Sequence, residues 1–363
     1  MTPLIAAAGG GPGGYRRILG LRLLALLPVT LAAIINSGYQ YLSRLAENPV
    51  LAGDGFRELL ARGLGANYAD AGFYDWCAAG IAHLLPVLVV ALLAGWFWEW
   101  LIARYRGRPQ AVDFVHTALL FTLLLPGATP FYHLLFGMSF AILVGSAIFG
   151  GEGRTFLSPA LLGIAILQVG FPGTGGEHPL WQGIAGYSGS DAIALFHRGG
   201  DTALAGAGID PASAFVGGIA GSMGTTSVLA VVAGAVLLLA TRVISWRLLL
   251  AQIIGLVLAA GLFNYLGDGS GAAAMPAWWH LLLGSFAFGA VFLACDPVAS
   301  CCTNAGRWIQ GLLAGALVVL IRVASASHPD AVVQAVLLAS ILAPLIDYAV
   351  IARNVRHRAR RHV

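Results

Sequence analysis

Four carboxylates stand inside or at the ends of strongly apolar stretches of this sequence: Glu99, Asp113, Asp296 and Asp347. A carboxylate at the centre of a membrane-spanning helix costs about 2.5–3.5 kcal/mol on insertion scales, so such acids mark cation or proton paths. Asp347 has apolar neighbours on both sides and fits this interpretation best. For the other three a structural role stays open. Asp296 would cap the turn that follows it, and Glu99 and Asp113 would face water on the inner side.

Two glycine-rich polar segments are the next candidates for a site. Residues 149–161 join two apolar stretches, and residues 221–227 directly precede another. Free N–H groups at a helix start favour an anionic group such as a flavin phosphate, and small residues let it approach the backbone. Tight helix packing through small residues is the alternative for both segments. The candidate cofactor-binding residues in the second segment are Gly221, Ser222, Gly224, Thr225 and Thr226.

Composition excludes several other classes of protein. Of the 363 residues, 58% are hydrophobic and only 10% are charged, and the mean hydropathy is +0.83. So few charged groups cannot cover a soluble enzyme of this size, because a soluble domain carries roughly 25% charge. The net charge of +4 without a long basic patch outside the tail argues against nucleic-acid binding. The four cysteines show no zinc-binding spacing, so no metal site is predicted.

Ten apolar segments are expected to form the fold, an all-α polytopic membrane protein. A spanning helix needs about 20 mostly apolar residues, and shorter or glycine- and proline-interrupted segments are typical of broken helices that line a site. A short echo, His133-Leu-Leu-Phe-Gly137 against His280-Leu-Leu-Leu-Gly284, hints at an internal repeat. The segments are 17–36, 82–103, 111–126, 131–149, 156–171, 226–242, 247–266, 277–295, 307–323 and 332–351.

The arginines predict the orientation of these spans. With ten spans and both termini inside, five of the 20 basic residues lie outside and the others inside, as the positive-inside rule requires. The outer five are Arg44, Arg57, Arg62, Arg198 and Arg322. We therefore expect a multi-pass protein of a bacterial inner membrane. Its parts would be a cytoplasmic segment 1–16, a membrane domain 17–351 with outer loops near 37–81 and 172–225, and a basic cytoplasmic tail 352–363 that lies near anionic lipid.

Together these motifs resemble a known family over about three quarters of the chain. The sequence is similar to the B subunit of the sodium-translocating NADH:quinone reductase and to its relative, the D subunit of the Rnf electron-transport complex. Similarity to the reductase subunit is closer. The resembling segments are 97–99, 125–130, 149–161, 221–224, 296–300 with 303–304, and 343–348 with 353–354.

The resemblance implies a ten-span membrane subunit with two related halves inside a multi-subunit redox pump. It implies a flavin (FMN or riboflavin), quinone as substrate near the inner side, and a Na⁺ path lined by acids. Glu99, Asp113, Asp296 and Asp347 fall on or close to acidic positions of the family. The family attaches FMN to the last threonine of Asp-Gly-x-Ser-Gly-Ala-Thr.

The segment aligned with the flavin motif departs from it. It ends in Ser188, Gly189, Ser190 and Asp191, so an aspartate replaces the acceptor threonine and the leading acid is lost. Ser190 is one position early, and Thr225 and Thr226 lack the leading aspartate. The sequence therefore predicts that covalent FMN is absent from this subunit.

Two functions remain open. The first is the membrane subunit of an oxidoreductase complex that passes electrons through flavin towards quinone and moves Na⁺ or H⁺. The second is a divergent member of the family without a redox role, acting as a transporter, channel or scaffold.

Overall fold

The computed structural model describes residues 12–47, 55–66, 71–127, 129–151, 153–171, 192–267, 271–324 and 330–359. Within these ranges the structure consists of helices and loops, with fourteen α-helices and no strand. In chain order they are α1 (Pro12–Glu47), α2 (Phe56–Gly63), α3 (Phe73–Arg106), α4 (Asp113–Leu124), α5 (Phe131–Phe140), α6 (Pro159–Gly170), α7 (Ala192–Gly206), α8 (Pro211–Val216), α9 (Val228–Ala240), α10 (Trp246–Leu266), α11 (Ala277–Leu282), α12 (Phe286–Phe288), α13 (Asn304–Ala324) and α14 (Val332–Ala359).

Five helices of the described chain are long and apolar enough to cross a membrane: α1, α3, α10, α13 and α14. Pro28, Pro86 and Pro344 lie inside three of them. An internal proline removes a backbone hydrogen bond and is costly in water, but neighbouring helices compensate for it in spanning helices. The described helices and these five candidate spans confirm the prediction of an all-α polytopic membrane protein.

The remaining predicted segments are also helical, but they are short or broken. Helices α4, α5, α6 and α9 are shorter apolar helices, and the segment predicted at 277–295 is divided between α11 and α12. The outer loop predicted at 37–81 is largely helical, because α1 extends to Glu47, α2 lies within the loop and α3 already begins at Phe73. All ten predicted apolar segments therefore coincide with helix.

A repeated local structure follows the two histidines of the sequence echo. Helix α5 continues into a π-helical turn, Ala141–Ala147, and α12 continues into a second one, Gly289–Ala294. The first π turn ends fourteen residues after His133 and the second fourteen residues after His280. A π turn is rare and is frequent at functional sites. Each π turn is followed by a loop and then by a helix, α6 or α13, so the two segments share this order of elements.

The break between α11 and α12 is held by one buried arginine. Gly284, with φ of +73°, sits in the break and takes a conformation that other residues rarely adopt. Arg322 of α13 is fully buried and donates hydrogen bonds to the carbonyl oxygens of His280 at 2.9 Å and Leu283 at 3.0 Å. Its guanidinium also lies 3.8 Å from the Asp330 carboxylate. The backbone groups freed by the break are satisfied in this way.

Glycines let the long helices approach closely. A Cβ atom on Gly80 of α3 would clash with the carbonyl oxygen of Ile34 in α1, and one on Gly315 of α13 would clash with that of Gln252 in α10. Small residues at such crossings are typical of helix packing in membranes. These contacts fix α1 against α3 and α10 against α13, the scaffold on which the polar loops lie.

Candidate functional site

Two of the predicted acids, Asp113 and Asp296, line one small polar cavity although they come from opposite halves of the sequence. The cavity has a volume of about 10 Å³, room for about one water molecule. Buried hydroxyl groups of Thr117, Thr155 and Ser158 share its wall. Oxygen ligands of this kind suit hard cations.

The cavity forms where the loops that follow the two π turns meet. Asp296 closely follows the second π turn, and Thr155 and Ser158 belong to the loop after the first one. Asp113 begins α4, and Pro159, the first residue of α6, closes the wall beside it. The glycine-rich segment 149–161 therefore supplies part of a polar site as well as close packing.

Asp296 is held by an arginine that the sequence reasoning did not select. Arg22 of α1 lies 3.1 Å from Asp296 Oδ2, and its guanidinium also donates to the carbonyl oxygen of Phe292 in the second π turn at 3.3 Å. The other oxygen of Asp296 accepts a hydrogen bond from the N–H of Val298 at 2.9 Å. This last bond is the capping role foreseen for Asp296, and it coexists with the ion pair.

Tyr15 and His116 complete the cavity. Tyr15 lines the cavity beside the Asp113 carboxylate. His116 is buried, and among the described residues its Nε2 atom has no hydrogen-bond partner. A buried polar atom without a partner is costly, so a water molecule or another ligand is expected beside it. The signal that sequence reasoning missed is Arg22, a charge inside the first apolar segment that was counted only for topology.

Glu99 lies apart from this cavity. Its side chain is buried and faces Ser146 of the first π turn, with 3.5 Å between Ser146 Oγ and Glu99 Oε1. Arg108 lies 3.6 Å from Glu99 Oε2 and donates to the carbonyl oxygen of Gly150 at 3.1 Å. A Cβ atom on Gly151 would clash with the same guanidinium, so glycine is required where the loop wraps around it. Glu99 and Arg108 thus anchor the loop after the first π turn.

Asp347 holds the loop that contains Asp296 from its far end. Its carboxylate accepts hydrogen bonds from the N–H of Cys302 at 2.6 Å, from the N–H of Thr303 at 3.1 Å and from the Thr303 hydroxyl at 2.5 Å. Thr303 directly precedes α13, so the carboxylate also faces the positive end of that helix. These contacts give Asp347 a structural explanation that the apolar sequence around it did not suggest.

The second glycine-rich segment is packed against α1 and α4. Gly224 donates its N–H to the carbonyl oxygen of Leu123 at 2.7 Å, and Thr225 Oγ1 donates to that of Ser222 at 3.3 Å. Thr226 Oγ1 accepts a hydrogen bond from Asn36 at 2.9 Å. Both threonines are buried.

The environment of these threonines does not fit a covalent flavin. Their hydroxyls are already used in packing, and a Cβ atom on Gly221 would already lie 3.0 Å from the methyl group of Thr226. The other flavin candidates, Ser188, Gly189, Ser190 and Asp191, lie outside the described residues. We therefore assign no flavin-dependent step to these two threonines.

Comparison with known proteins extends over nearly the whole chain. The model of the "NQR2, RnfD, RnfE family" matches residues 14–356. The B subunit of the Na(+)-translocating NADH-quinone reductase of Azotobacter vinelandii is 37% identical over 350 residues, which cover 96% of this chain and 87% of that protein. The same subunits of Pseudomonas paraeruginosa and Yersinia pestis are each 36% identical, over 96% and 95% of this chain and 87% of their own length. The chain therefore belongs to the NQR2, RnfD, RnfE family.

Proposed function

We propose that this chain is the membrane subunit of a redox-driven pump of the NADH:quinone reductase type, working with other membrane subunits and with quinone as electron acceptor. Its similarity along nearly the whole chain to the matching subunits of Na⁺-translocating NADH-quinone reductases supports this assignment. The observation that carries the mechanism is the cavity shared by Asp113 and Asp296. We also propose that both termini are cytoplasmic, because the arginine distribution favours that orientation.

The cavity is the place where we expect the transported cation to bind. Carboxylate and hydroxyl oxygens replace the water that a cation loses on entering a low-dielectric region. Asp113 and Asp296 supply charge, while Thr117, Thr155 and Ser158 supply neutral oxygens. Na⁺ is the ion moved by the named relatives, and H⁺ is the alternative, since carboxylates serve both.

Glu99 and Asp347 act on this path through the loops they hold. Glu99 anchors the loop after the first π turn together with Arg108, and Asp347 anchors the end of the loop that begins at Asp296. We propose that they position the site and that Asp113 and Asp296 bind the cation.

Turnover of the assembled complex tests the cation site. Quinone reduction by NADH is measured against NaCl concentration at constant ionic strength with choline chloride. Asp113→Asn and Asp296→Asn are expected to raise the Na⁺ concentration for half-maximal rate at least tenfold. Asp210→Asn, which changes an exposed acid before α8, is the matched control and leaves it unchanged. Wild-type Na⁺ dependence in both cavity variants would contradict the assignment.

The second candidate is a family member without a redox role. It is favoured by the aspartate at 191 in place of the flavin-bearing threonine and by the packed hydroxyls of Thr225 and Thr226. In-gel flavin fluorescence of the denatured chain, backed by mass spectrometry, separates the two functions. A covalent flavin peptide excludes the non-redox candidate. A purified complex that contains this chain and neither reduces quinone nor releases flavin excludes the pump.

A further inference from the structure

The positively charged guanidinium of Arg22 lines the cavity in which we expect the cation to bind. Its side chain is 6% exposed and that of Asp296 10%, so the ion pair between them is almost completely withdrawn from water. The guanidinium lies against the carboxylate oxygen Oδ2, and the Phe292 carbonyl oxygen accepts a second hydrogen bond from the same nitrogen atom. A transported cation that binds Asp296 through Oδ2 would compete with the guanidinium for that oxygen.

The cavity volume of about 10 Å³ is the space that remains beside the guanidinium, and it admits roughly one water-sized particle. With His116 and Tyr15 neutral, the formal charge of the cavity is −1, because Asp113 and Asp296 are opposed by Arg22 alone. Because Arg22 holds Oδ2 and the N–H of Val298 holds the other oxygen of Asp296, a cation that binds Asp296 at Oδ2 has to displace the guanidinium.

A second carboxylate, that of Asp113, lies on the wall of the same cavity, and Tyr15 experiences the charges of Arg22, Asp113 and Asp296 together. A movement within this one cavity would thus keep Arg22 paired. The unpartnered Nε2 atom of buried His116 on the same wall, which has no partner among the described residues, is a separate indication that a ligand or water completes the site.

We propose that Arg22 is an internal cation that closes the Asp296 site, and that the transported ion binds only when Arg22 moves from Asp296 towards Asp113. This inference rests on the proposed cation site and adds its regulation. The ion pair between Arg108 and Glu99, beside the loop after the first π turn, is more exposed to water and longer. Arg108 is 24% exposed and lies 3.6 Å from Glu99, against 3.1 Å for Arg22 and Asp296.

Sodium binding to the purified full-length chain in detergent tests the proposal. Binding of ²²Na⁺ is measured at constant ionic strength with choline chloride as the replacement salt. Arg22→Met removes the charge and keeps a side chain of similar length, and Arg22→Gln is a second neutral variant in case the first does not fold. We expect either variant to bind Na⁺ at least tenfold more tightly than wild type. Arg22→Lys, which keeps a cation, is expected to stay within threefold of wild type.

Two controls make the result specific to Asp296. Combining Arg22→Met with Asp296→Asn is expected to abolish the tighter binding, because no carboxylate is left for Na⁺ at that position. Arg104→Met, which removes an exposed arginine near the end of α3, is expected to leave Na⁺ affinity within threefold of wild type. Na⁺ affinity in both neutral Arg22 variants equal to that of wild type would overturn the proposal, and so would tighter binding that persists in the double variant.

Failure of this inference is distinguishable from failure of the proposed function. Loss of Na⁺-dependent turnover in Asp113→Asn and Asp296→Asn, combined with unchanged Na⁺ affinity in the neutral Arg22 variants, retains the cation site and rejects Arg22 as its gate. Absence of any Na⁺ dependence in the wild-type complex rejects both.

Discussion

Replacing Asp347 by asparagine tests whether this carboxylate holds a loop in place or binds the transported cation. In the structure it accepts three hydrogen bonds, from the N–H groups of Cys302 and Thr303 and from the Thr303 hydroxyl. Asparagine keeps the shape and one acceptor oxygen, but it loses the charge and turns an NH₂ group towards backbone donors. The end of the Asp296 loop and the start of α13 would lose their anchor.

The expected loss of stability follows from these contacts. A hydrogen bond to a charged group contributes about 1.5–3 kcal/mol, and a negative charge at a helix N-terminus adds about 0.3–1 kcal/mol when exposed. Asp347 is only partly buried and one acceptor remains, so the lower end applies. We expect Asp347→Asn to lower the free energy of unfolding by about 2 kcal/mol.

Two measurements on the same variant decide between the roles. Unfolding of the purified chain in mixed micelles gives the stability, and Na⁺-dependent turnover of the complex gives the cation affinity. We expect a lower maximal rate with a half-saturating Na⁺ concentration within threefold of wild type. Asp296→Asn is the comparison, with its Na⁺ requirement raised at least tenfold. A tenfold weaker Na⁺ response of Asp347→Asn at unchanged stability would refute the reasoning and place Asp347 among the cation ligands.

Two further substitutions test the scaffold. Arg322→Met strands buried carbonyl oxygens and should cost about 3–5 kcal/mol of unfolding free energy. Arg17→Met, at an exposed position of α1, should cost under about 0.5 kcal/mol. Equal losses by denaturant titration would contradict the role of Arg322 at the helix break. Gly80→Ala places a Cβ atom against the Ile34 carbonyl oxygen and should lower the free energy of unfolding by at least about 1–3 kcal/mol. Gly20→Ala, with open space around it, should leave this free energy unchanged or raise it by up to about 1 kcal/mol. If the same titration found Gly20→Ala less stable than Gly80→Ala, the packing argument would be wrong.

The helices were largely predictable from the sequence, because an apolar segment of sufficient length has few alternatives in a membrane. All ten segments are helical. The short repeated motif at His133 and His280 precedes the two π turns at the same spacing. The π turns themselves were not predictable, because local sequence carries little signal for one extra residue in a helical turn. The break at Gly284 depends on Arg322, which is distant in sequence.

The candidate site was predictable only in its residue types. Asp113 and Asp296 were selected because charge is costly in an apolar segment, but their meeting in one cavity depends on how the two loops pack. From the sequence, Arg22 served only to predict the orientation of the first span, because its partner Asp296 is far away in the chain. Asp347 has contacts that its sequence neighbours did not indicate. Its apolar neighbours suggested an ion path, whereas its contacts are with a loop and a helix start.

The ion pair between Arg22 and Asp296 also bears on how a pump avoids leaking. Breaking a buried pair without a replacement partner costs about 3–5 kcal/mol, and a movement of Arg22 towards Asp113 on the wall of the same cavity avoids that cost. A transported cation then shifts the equilibrium towards the open state by as much as its affinity for the two states differs. Without a bound cation the guanidinium stays on Asp296, so under our proposal the site is closed between transport events.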